Sequence, residues 1–283
     1  MADTRLIRDF AELLSKKGFE IANSEFVSQE PPSEYKFAKQ IFNNKIVLLP
    51  FLLKAALTIK DTDSRFSVRP TWSEDYGKLQ TFLDTLKEDG FVLNWTKEGN
   101  EYDVELSQDG DKMKFFRSDW AEMCFRYIIM KVVQQFCQTM TPALSYKAFQ
   151  NVEIKTCERL ITELGLVVQK AFPNVEIKSN DNLFTELDLV VQIENQFYLF
   201  EVKSGPRINI MQWAKHEAFV DKQGYIKYIV CTVHDNIPEN IFEPQILMTI
   251  ASLEERLLKL LETDFSASPP NHRTTAPPHY PTT

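Results

Sequence analysis

The hydrophobic positions in the second half of the chain predict two strands joined by a tight turn. Residues 187–193 and 197–202 are rich in β-branched and aromatic side chains, and only the polar residues 194–196 separate them. Such side chains favour strands, and a short polar interruption between two of these runs is typical of a hairpin. We therefore expect a largely buried β-hairpin within residues 183–205.

Apolar residues at helical spacing predict most of the remaining elements. Helices are expected over residues 4–17, 33–43, 45–58, about 72–88, 119–139, 157–172, 210–222 and the end of 239–261. Pro50 lies inside the third of these helices and is expected to kink or break it. Short apolar runs at 175–178 and 225–232 predict two further strands, one before and one after the hairpin. This order of elements indicates an α/β protein.

The sequence over about 72–116 has a pattern of its own. The helix predicted there is followed by two alternating apolar runs, Phe91–Trp95 and Tyr102–Leu106, around a glycine-containing turn. A helix followed by a hairpin is typical of the second half of a winged helix, and a helix and hairpin that extend the main sheet would give the same pattern. The expected regions are a helical N-terminal region (1–116), an α/β domain (117–263) and a disordered tail rich in Pro, Ser and Thr (264–283).

The composition is typical of a globular protein without a membrane span. Hydrophobic residues make up 43% of the chain and charged residues 25%. The most apolar early stretch, 45–59, contains Pro50 and Lys54 and is too short to cross a bilayer. The N-terminus lacks the apolar segment of a signal peptide, and the four cysteines show no paired spacing that would indicate disulfides or a zinc site. We expect a cytoplasmic protein with reduced thiols.

Charge is distributed unevenly around the predicted hairpin. The net charge of −8 disfavours nucleic-acid binding by the chain as a whole, because phosphate contacts dominate that affinity. Residues 181–201 contain five carboxylates and no Lys or Arg, whereas residues 203–227 contain five Lys or Arg and two carboxylates. An acidic pocket beside a basic segment suits a phosphodiester substrate held through a metal ion.

Four charged side chains are expected to converge at one end of the hairpin. Strand alternation places Glu186 and Asp188 on one face of the first strand, and Glu201 and Lys203 on one face of the second. An ionised carboxylate beside buried apolar positions is unfavourable unless it is paired or binds a cation. Oxygen ligands without nearby His or Cys are typical of Mg²⁺ or Mn²⁺ sites. We predict such a site, at which the Lys203 ammonium holds or polarises the attacking water.

These two strands resemble those of a known superfamily. The sequence Thr-Glu-Leu-Asp at 185–188, followed by Phe-Glu-Val-Lys-Ser-Gly at 200–205, is similar to the motif of the PD-(D/E)XK nucleases. The resemblance covers about half of the chain. It implies a restriction-endonuclease-like αβββαβ core, metal binding by Asp188 and Glu201, and a catalytic Lys203. Glu186 is implied as an additional ligand or water-holding group.

The superfamily also takes a carboxylate from a helix ahead of the first core strand. The segment Asp-Trp-Ala-Glu at 119–122 resembles the Gly-Gly-Trp-Leu-Glu helix start in the nuclease domains of CRISPR-associated effectors activated by cyclic oligoadenylates. This resemblance makes Glu122 the candidate fourth catalytic and metal-binding residue. Glu158, on the helix directly before residues 175–178, is the alternative that spacing favours. Asp119 and Glu122 also have the spacing of a helix-capping box, which would explain this short sequence without a catalytic role for Glu122.

Nucleic acid is the expected partner, with DNA favoured over RNA. Lys215 and Gln212, on the helix after Lys203, are expected to contact substrate phosphate. If residues 72–116 are a winged helix, the acidic helix 72–88 argues for a protein contact or a homodimer rather than base readout.

The N-terminal region departs from the effectors that the motif resembles. Those proteins carry a Rossmann-like ligand-sensing domain ahead of the nuclease, and roughly seventy helical, glycine-poor residues cannot hold one. Activation by a cyclic oligonucleotide is therefore not expected. The predicted function is a metal-dependent endonuclease in defence against foreign DNA, restriction or repair. The alternative, an inactive nuclease fold that binds nucleic acid or a protein, predicts a damaged motif, whereas Asp188, Glu201 and Lys203 are all present.

Overall fold

The structure is a computed structural model. It describes residues 10–27, 35–60, 63–71, 75–141, 143–156, 183–205, 215–216, 218–220, 224–234 and 247–266. In chain order the elements are α1 (residues 10–15), β1 (Phe19–Phe26), α2 (Tyr35–Asn43), α3 (Lys45–Lys60), β2 (Arg65–Val68), α4 (Tyr76–Glu88), β3 (Val92–Glu98), β4 (Glu101–Leu106), α5 (Gly110–Lys114), a π-helical turn (Phe115–Asp119), α6 (Trp120–Thr139), β5 (Tyr146–Thr156), β6 (Leu183–Ile193), β7 (Gln196–Lys203), β8 (Ile226–Thr232), β9 (Leu247–Thr249) and α7 (Leu253–Ser266).

A mixed six-stranded sheet forms the centre of the described structure. Its strand order is β1-β5-β6-β7-β8-β9. The pairs from β1 to β7 are antiparallel, whereas β7, β8 and β9 run parallel. The β6–β7 pair confirms the predicted hairpin, and Glu194 adopts the positive φ of 51° that its tight turn requires. The mixed α/β class expected from the sequence is confirmed.

Both faces of the large sheet are buried. Alternation along β7 directs Tyr198 and Phe200 to one face and Phe197 and Leu199 to the other. The first face belongs to a core shared with α2, α3, α4, α6, α7 and a second, smaller sheet. The opposite face packs against α1 and Phe219. A single core therefore crosses the predicted 116–117 boundary.

The smaller sheet contains the hairpin predicted within residues 72–116. Its strand order is β2-β4-β3, and α4 packs against it through Leu79, Phe82, Leu83 and Leu86. The hairpin therefore does not extend the large sheet, and that alternative is wrong. The winged-helix interpretation stays a prediction, with β2 as a third strand that the hydrophobic pattern did not indicate.

Three strands of the large sheet were not predicted: β1, β5 and the short β9. The first, β1, lies in the region expected to be helical, and it is a mostly exposed edge strand whose pairing with β5 is irregular. The second, β5, contains Asn151 at a φ of 51°, and this left-handed residue interrupts the period-two alternation that identifies strands. The predicted helix 157–172 and strand 175–178 lie outside the described residues.

The long apolar helix α3 contains Pro50 without ending there, so the proline does not break it. Within the ranges described above, no single helix is long and apolar enough to cross a membrane; only α2 and α3 together, bent by 116°, meet that length and composition. At the other end of the chain, α7 runs to Ser266, so the first residues of the predicted tail are helical. The rest of the tail lies outside the described residues.

Candidate functional site

The strands β6 and β7 separate where the predicted acidic residues lie. Their ladder ends at the pair Leu189–Phe200, and the next pair in that register is Asp188 and Glu201. Asp188 Oδ2 accepts a hydrogen bond of 2.6 Å from the backbone N–H of Val202. The aspartate side chain thus replaces the opposite strand as the partner of that amide. Asp188 and Glu201 thus flank the opening, close enough for the Glu201 charge to contribute to the raised pKa of Asp188.

Glu201 is buried among donors from its own chain. The side chain contacts Tyr228 of the neighbouring strand β8, and only 1% of the residue is exposed. Oε1 lies 2.5 Å from Lys203 Nζ and 2.8 Å from Lys215 Nζ. Oε2 accepts from the same Lys215 ammonium at 2.8 Å and from the hydroxyl of Tyr228 on β8. We call Glu201, Lys215 and Tyr228 the β7–β8 half of the site.

The β7–β8 half is stably ionised. Burial by itself would raise the pKa of Glu201, but the ammonium groups of Lys215 and Lys203 outweigh burial and lower the pKa to about 2. Burial lowers the pKa of Lys215, and the contact with Glu201 opposes that change. Burial and the adjacent Glu201 charge both raise the pKa of Tyr228, so its hydroxyl remains a donor.

Asp188 and Glu122 form the second half, which we call the β6–α6 half. Burial raises the pKa of Asp188 to about 7; the Val202 amide opposes this rise, and the nearby Glu122 carboxylate adds to it. Burial likewise raises the pKa of Glu122, with a further contribution from Asp119. Both carboxylates therefore hold protons more tightly than a carboxylate in water does.

The donor set at the opening fits a hard divalent ion in part. Asp188 and Glu201 supply two adjacent carboxylates, and Mg²⁺ commonly binds one or two of these together with waters and substrate phosphate oxygens. In the part of the chain that the structure describes, no three His, Cys, Asp or Glu side chains are grouped closely enough to hold a metal. Glu122 and Glu186 therefore do not complete a three-carboxylate cluster around Asp188 and Glu201. The two-carboxylate set with waters is the arrangement that fits.

Glu122 does not act as a helix cap. Asp119 has helical backbone angles and makes no side-chain capping hydrogen bond, because the π-helical turn leads directly into α6. The capping-box explanation of this sequence is therefore wrong. Instead, Glu122 is close enough to Asp188 to raise its pKa. The alternative helix carboxylate, Glu158, lies outside the described residues.

The remaining predicted site residues are Glu186, Lys215 and Gln212. Glu186 is exposed on β6 and lies near Glu122, whose pKa it helps to raise. Lys215 was expected to contact substrate phosphate, but it is 8% exposed and binds Glu201, which accounts for its charge inside the protein. Gln212 lies outside the described residues.

A cleft of about 330 Å³ opens beside Glu122. Its lining residues include the aromatic Phe91, the cationic Lys114 and Arg126, and the amide side chain of Asn151. Among the described residues, the buried Nε of Arg126 has no hydrogen-bond partner. Sequence reasoning missed Lys114 and Arg126, although the spacing of four residues between Glu122 and Arg126 places them on one face of a helix.

Tyr228 was also missed. It occupies an apolar strand at a position where a buried aromatic residue is expected, so nothing in its local sequence distinguishes it from a core tyrosine. The end of β7 has one more contact outside its sheet, because Ser204 Oγ donates to the backbone carbonyl of Arg117 at 3.1 Å. This bond connects the motif strand to the π-helical turn.

Comparisons with known proteins show the fold but no family. No protein-family model matches the sequence, and no curated protein matches it. The crystal structure of protein VC1899 from Vibrio cholerae is similar to this chain, with a TM-score of 0.50 and 16% sequence identity. That match covers 91% of this chain and 61% of VC1899. At this identity the likeness shows a shared mixed α/β fold alone.

A second solved structure is Can2 from Sulfobacillus thermosulfidooxidans in complex with cyclic tetra-adenylate. The match covers 88% of this chain and 59% of Can2, with 16% sequence identity and a TM-score of 0.45. A TM-score this low supports no conclusion about this chain. The chain spans about three fifths of the length of both solved structures.

Proposed function

We propose that this chain is a metal-dependent endonuclease of the PD-(D/E)XK type that hydrolyses phosphodiester bonds, with DNA as the favoured substrate. The order of elements supports the proposal, because α6, β5, β6, β7, the helical residues 215–216 and 218–219, and β8 follow one another as an αβββαβ core does. Defence against foreign DNA, restriction or repair is the proposed context.

The observation that carries the proposal is the opening between β6 and β7. Asp188 and Glu201 are the next residues in register beyond the end of the ladder, and the Lys203 ammonium is in contact with Glu201. Asp188 has a raised pKa and a backbone amide as its hydrogen-bond partner, so it is the carboxylate at this opening whose charge a hard cation would neutralise.

The proposed roles follow from the position of each side chain. Asp188 and Glu201 would hold Mg²⁺ or Mn²⁺, which supplies a Lewis acid and lowers the pKa of bound water. The Lys203 side chain is 35% exposed, so its ammonium reaches the solvent side and can orient a water and offset charge on a phosphate oxygen. Glu122 can accept a hydrogen bond from a water beside Asp188, and Glu186 is proposed as an outer water-holding group.

Substrate phosphates would approach along the cleft beside Glu122. Lys114 and Arg126 place two cations there, and the unpartnered Nε of Arg126 is a donor that a phosphate oxygen can satisfy. The same cleft is also lined by Asp111, Asp119 and Glu122, so Lys114 and Arg126 supply individual phosphate donors rather than a net positive charge. Because Lys215 is buried on Glu201, we assign phosphate contact to Lys114 and Arg126, with Gln212 as a further candidate.

The test is a substrate panel of supercoiled plasmid, single-stranded DNA and RNA, each incubated with Mg²⁺ or Mn²⁺. We expect the wild-type chain to cleave at least one substrate, and Lys203→Ala to reduce the rate by about 10²–10⁴-fold. Lys131→Ala is the matched control, because Lys131 also binds a glutamate, Glu254 at 2.9 Å, but between α6 and the first turn of α7 rather than on the motif strands. Equal cleavage by wild type and Lys203→Ala would refute the proposal.

A second candidate function is an inactive nuclease fold that binds nucleic acid or a protein. The observation that favours it is the full set of internal donors on Glu201, together with the lack of a three-ligand metal cluster among the described residues. Binding of labelled DNA without cleavage at any metal concentration would support this function over catalysis.

A further inference from the structure

We propose that the outer face of α3 binds an anionic lipid surface, with the helix lying in the plane of the headgroups. This face carries a row of apolar side chains, which we call the α3 stripe: Ile46, Pro50, Leu53 and Leu57. None of these residues belongs to the site around Asp188, so the lipid surface and the nuclease activity stand or fall separately.

The α3 stripe is apolar and open to solvent. Ile46 is 78% exposed and Leu57 62%, which are the two highest values among the large hydrophobic residues that the structure describes. Each residue of a helix is turned by about 100° from the one before, so the four side chains of the stripe point within about 60° of one another along roughly 16 Å. They therefore form one continuous row, unlike the isolated apolar residues of an ordinary protein surface.

The inner face of α3 is fixed in the large core. Leu48, Phe51, Leu52 and Ala55 are fully buried there. A helix that is apolar on all sides is normally covered on all sides. The protein covers the inner face of α3, and the outer face can be covered by a lipid surface without removing the helix from the core.

Positive charge accompanies the α3 stripe along the chain. Residues 35–60 contain five lysines and no Asp or Glu, although the net charge of the whole chain is −8. The helical turn places Lys45 and Lys54 on opposite sides of the stripe. Lys54 is exposed. A lysine beside an apolar row can keep its ammonium at the level of lipid phosphates while its stem lies among the acyl chains.

A third cation borders the stripe at its N-terminal end. Arg69 is exposed and lines a shallow cleft of about 30 Å³ together with Ile46 and Pro50. The carboxylate that lines this cleft, Asp75, is 6% exposed and binds Lys78 at 3.0 Å. Beyond the other end of α3, Asp63 accepts hydrogen bonds from two backbone amides of its own turn. The described charges that border the stripe most closely are therefore positive.

The composition of the stripe favours lipid over other partners. Protein interfaces are enriched in aromatic residues, Met and Arg and are depleted in Lys, whereas this row is aliphatic and has lysines at its sides. Aliphatic residues flanked by lysines are typical of helices that lie in the headgroup region of anionic membranes. A second copy of this chain would bring the same lysines together, with no carboxylate within residues 35–60 to pair with them. Nucleic acid would leave the aliphatic row in water.

The experiment is co-sedimentation of the full chain with two kinds of vesicle. One kind contains equal parts of phosphatidylcholine and phosphatidylserine, and the other contains phosphatidylcholine alone. We expect binding to the anionic vesicles only, and weaker binding as NaCl is raised. The double variant Ile46→Ser, Leu57→Ser should bind the anionic vesicles at least about tenfold more weakly. Lys54→Gln should weaken binding by about fivefold.

Two matched controls separate the stripe from the rest of the surface. Leu93→Ser changes another exposed apolar residue, 54% exposed on β3, and Lys259→Gln changes another exposed lysine, on α7. Both should bind as the wild type does. All substituted residues are exposed, so the thermal unfolding midpoints of the variants should match that of the wild type.

Absence of binding to the anionic vesicles would overturn the proposal in favour of a partner protein. Unchanged binding in the double variant, or an equal loss in the controls, would overturn it as well. Sedimentation velocity without vesicles tests the second copy: a wild-type dimer that the double variant dissociates would show that another chain covers the stripe. A DNA complex that the double variant abolishes would assign the stripe to nucleic acid instead.

Discussion

The two halves of the site balance their charge in opposite ways. In the β7–β8 half, Glu201 is neutralised by ammonium groups of its own chain, and its pKa falls to about 2. In the β6–α6 half, Asp188 is buried near another carboxylate, and its pKa rises to about 7. The first half is a complete ion pair, whereas in the second the charges of Lys203, Lys114 and Arg126 oppose the rise in the carboxylate pKa values without reversing it. Substitutions at the two carboxylates should therefore change stability in opposite directions.

The largest effect is expected for Glu201→Gln. The substitution removes a proposed metal ligand and leaves the Lys215 charge buried without its carboxylate, which lowers the free energy of unfolding by about 3–5 kcal/mol and abolishes cleavage. Urea unfolding and plasmid cleavage measure the two effects. Glu254→Gln, which removes the carboxylate of a more exposed pair with Lys131, should lower stability by only about 0–1 kcal/mol. Similar losses in the two variants would contradict the ion-pair account of the β7–β8 half.

Asp188→Asn should also abolish cleavage, but it should raise stability. Because the folded-state pKa of Asp188 lies above its unfolded value of 3.8, the stability contributed by its protonated form is present below pH 4 and is lost as the pH rises through 7. Asparagine keeps an acceptor for the Val202 amide without a charge. At pH 8 the variant should be more stable than the wild type by about 1–4 kcal/mol, and at pH 4 by almost nothing.

Denaturant titrations of wild type and Asp188→Asn at the two pH values test this sign. A variant that is less stable than the wild type at pH 8 would show that the β6–α6 half does not carry excess negative charge.

The binding of Mn²⁺ to the wild type should depend on pH in the same range. The ion must displace a proton from Asp188 below its pKa of about 7, so the affinity should fall by about tenfold per pH unit from pH 7 to pH 5 and change little above pH 8. Calorimetric titration across this range measures the slope. A flat profile would mean that Asp188 is already ionised at pH 5.

The smallest effect is expected for Glu122→Gln. This substitution removes a carboxylate that raises the pKa of Asp188, so the midpoint of the pH dependence should move down by roughly half a unit. Cleavage should be reduced but not abolished if Glu122 only supports a water. An unchanged midpoint of the pH dependence would mean that Glu122 is too far from Asp188 to affect its pKa. Glu158 would then be the preferred candidate for the helix carboxylate.

The hairpin and its charged motif could be predicted because the signals are local. Alternation along β6 and β7 is regular near the turn, and the apolar residues on both faces mark strands buried on both sides. The side-by-side position of Asp188 and Glu201 follows from the register of that hairpin. By contrast, β1 and β5 could not be identified from pattern alone, since β1 is an exposed edge and Asn151 interrupts the alternation of β5.

The partners of Glu201 could not be predicted, because they come from different parts of the chain. Lys215 and Tyr228 are 14 and 27 residues away from Glu201 along the sequence, and a lysine on a predicted helix is usually exposed. Only the contact of Lys215 with Glu201 and the packing of Phe219 in the core on the same side of the sheet reveal that this lysine is internal. For the same reason, the cleft with Lys114 and Arg126 depends on how α6 meets the π-helical turn and β5.

The core that crosses the 116–117 boundary decides how this protein can be dissected. A fragment beginning at residue 117 would expose the side chains of Trp120, Phe125 and Ile128, which pack within the shared core. Such a fragment would aggregate rather than fold as an autonomous catalytic module, and the N-terminal portion would fail in the same way. Evolutionary shuffling and laboratory truncation would both have to preserve the two portions as one inseparable unit.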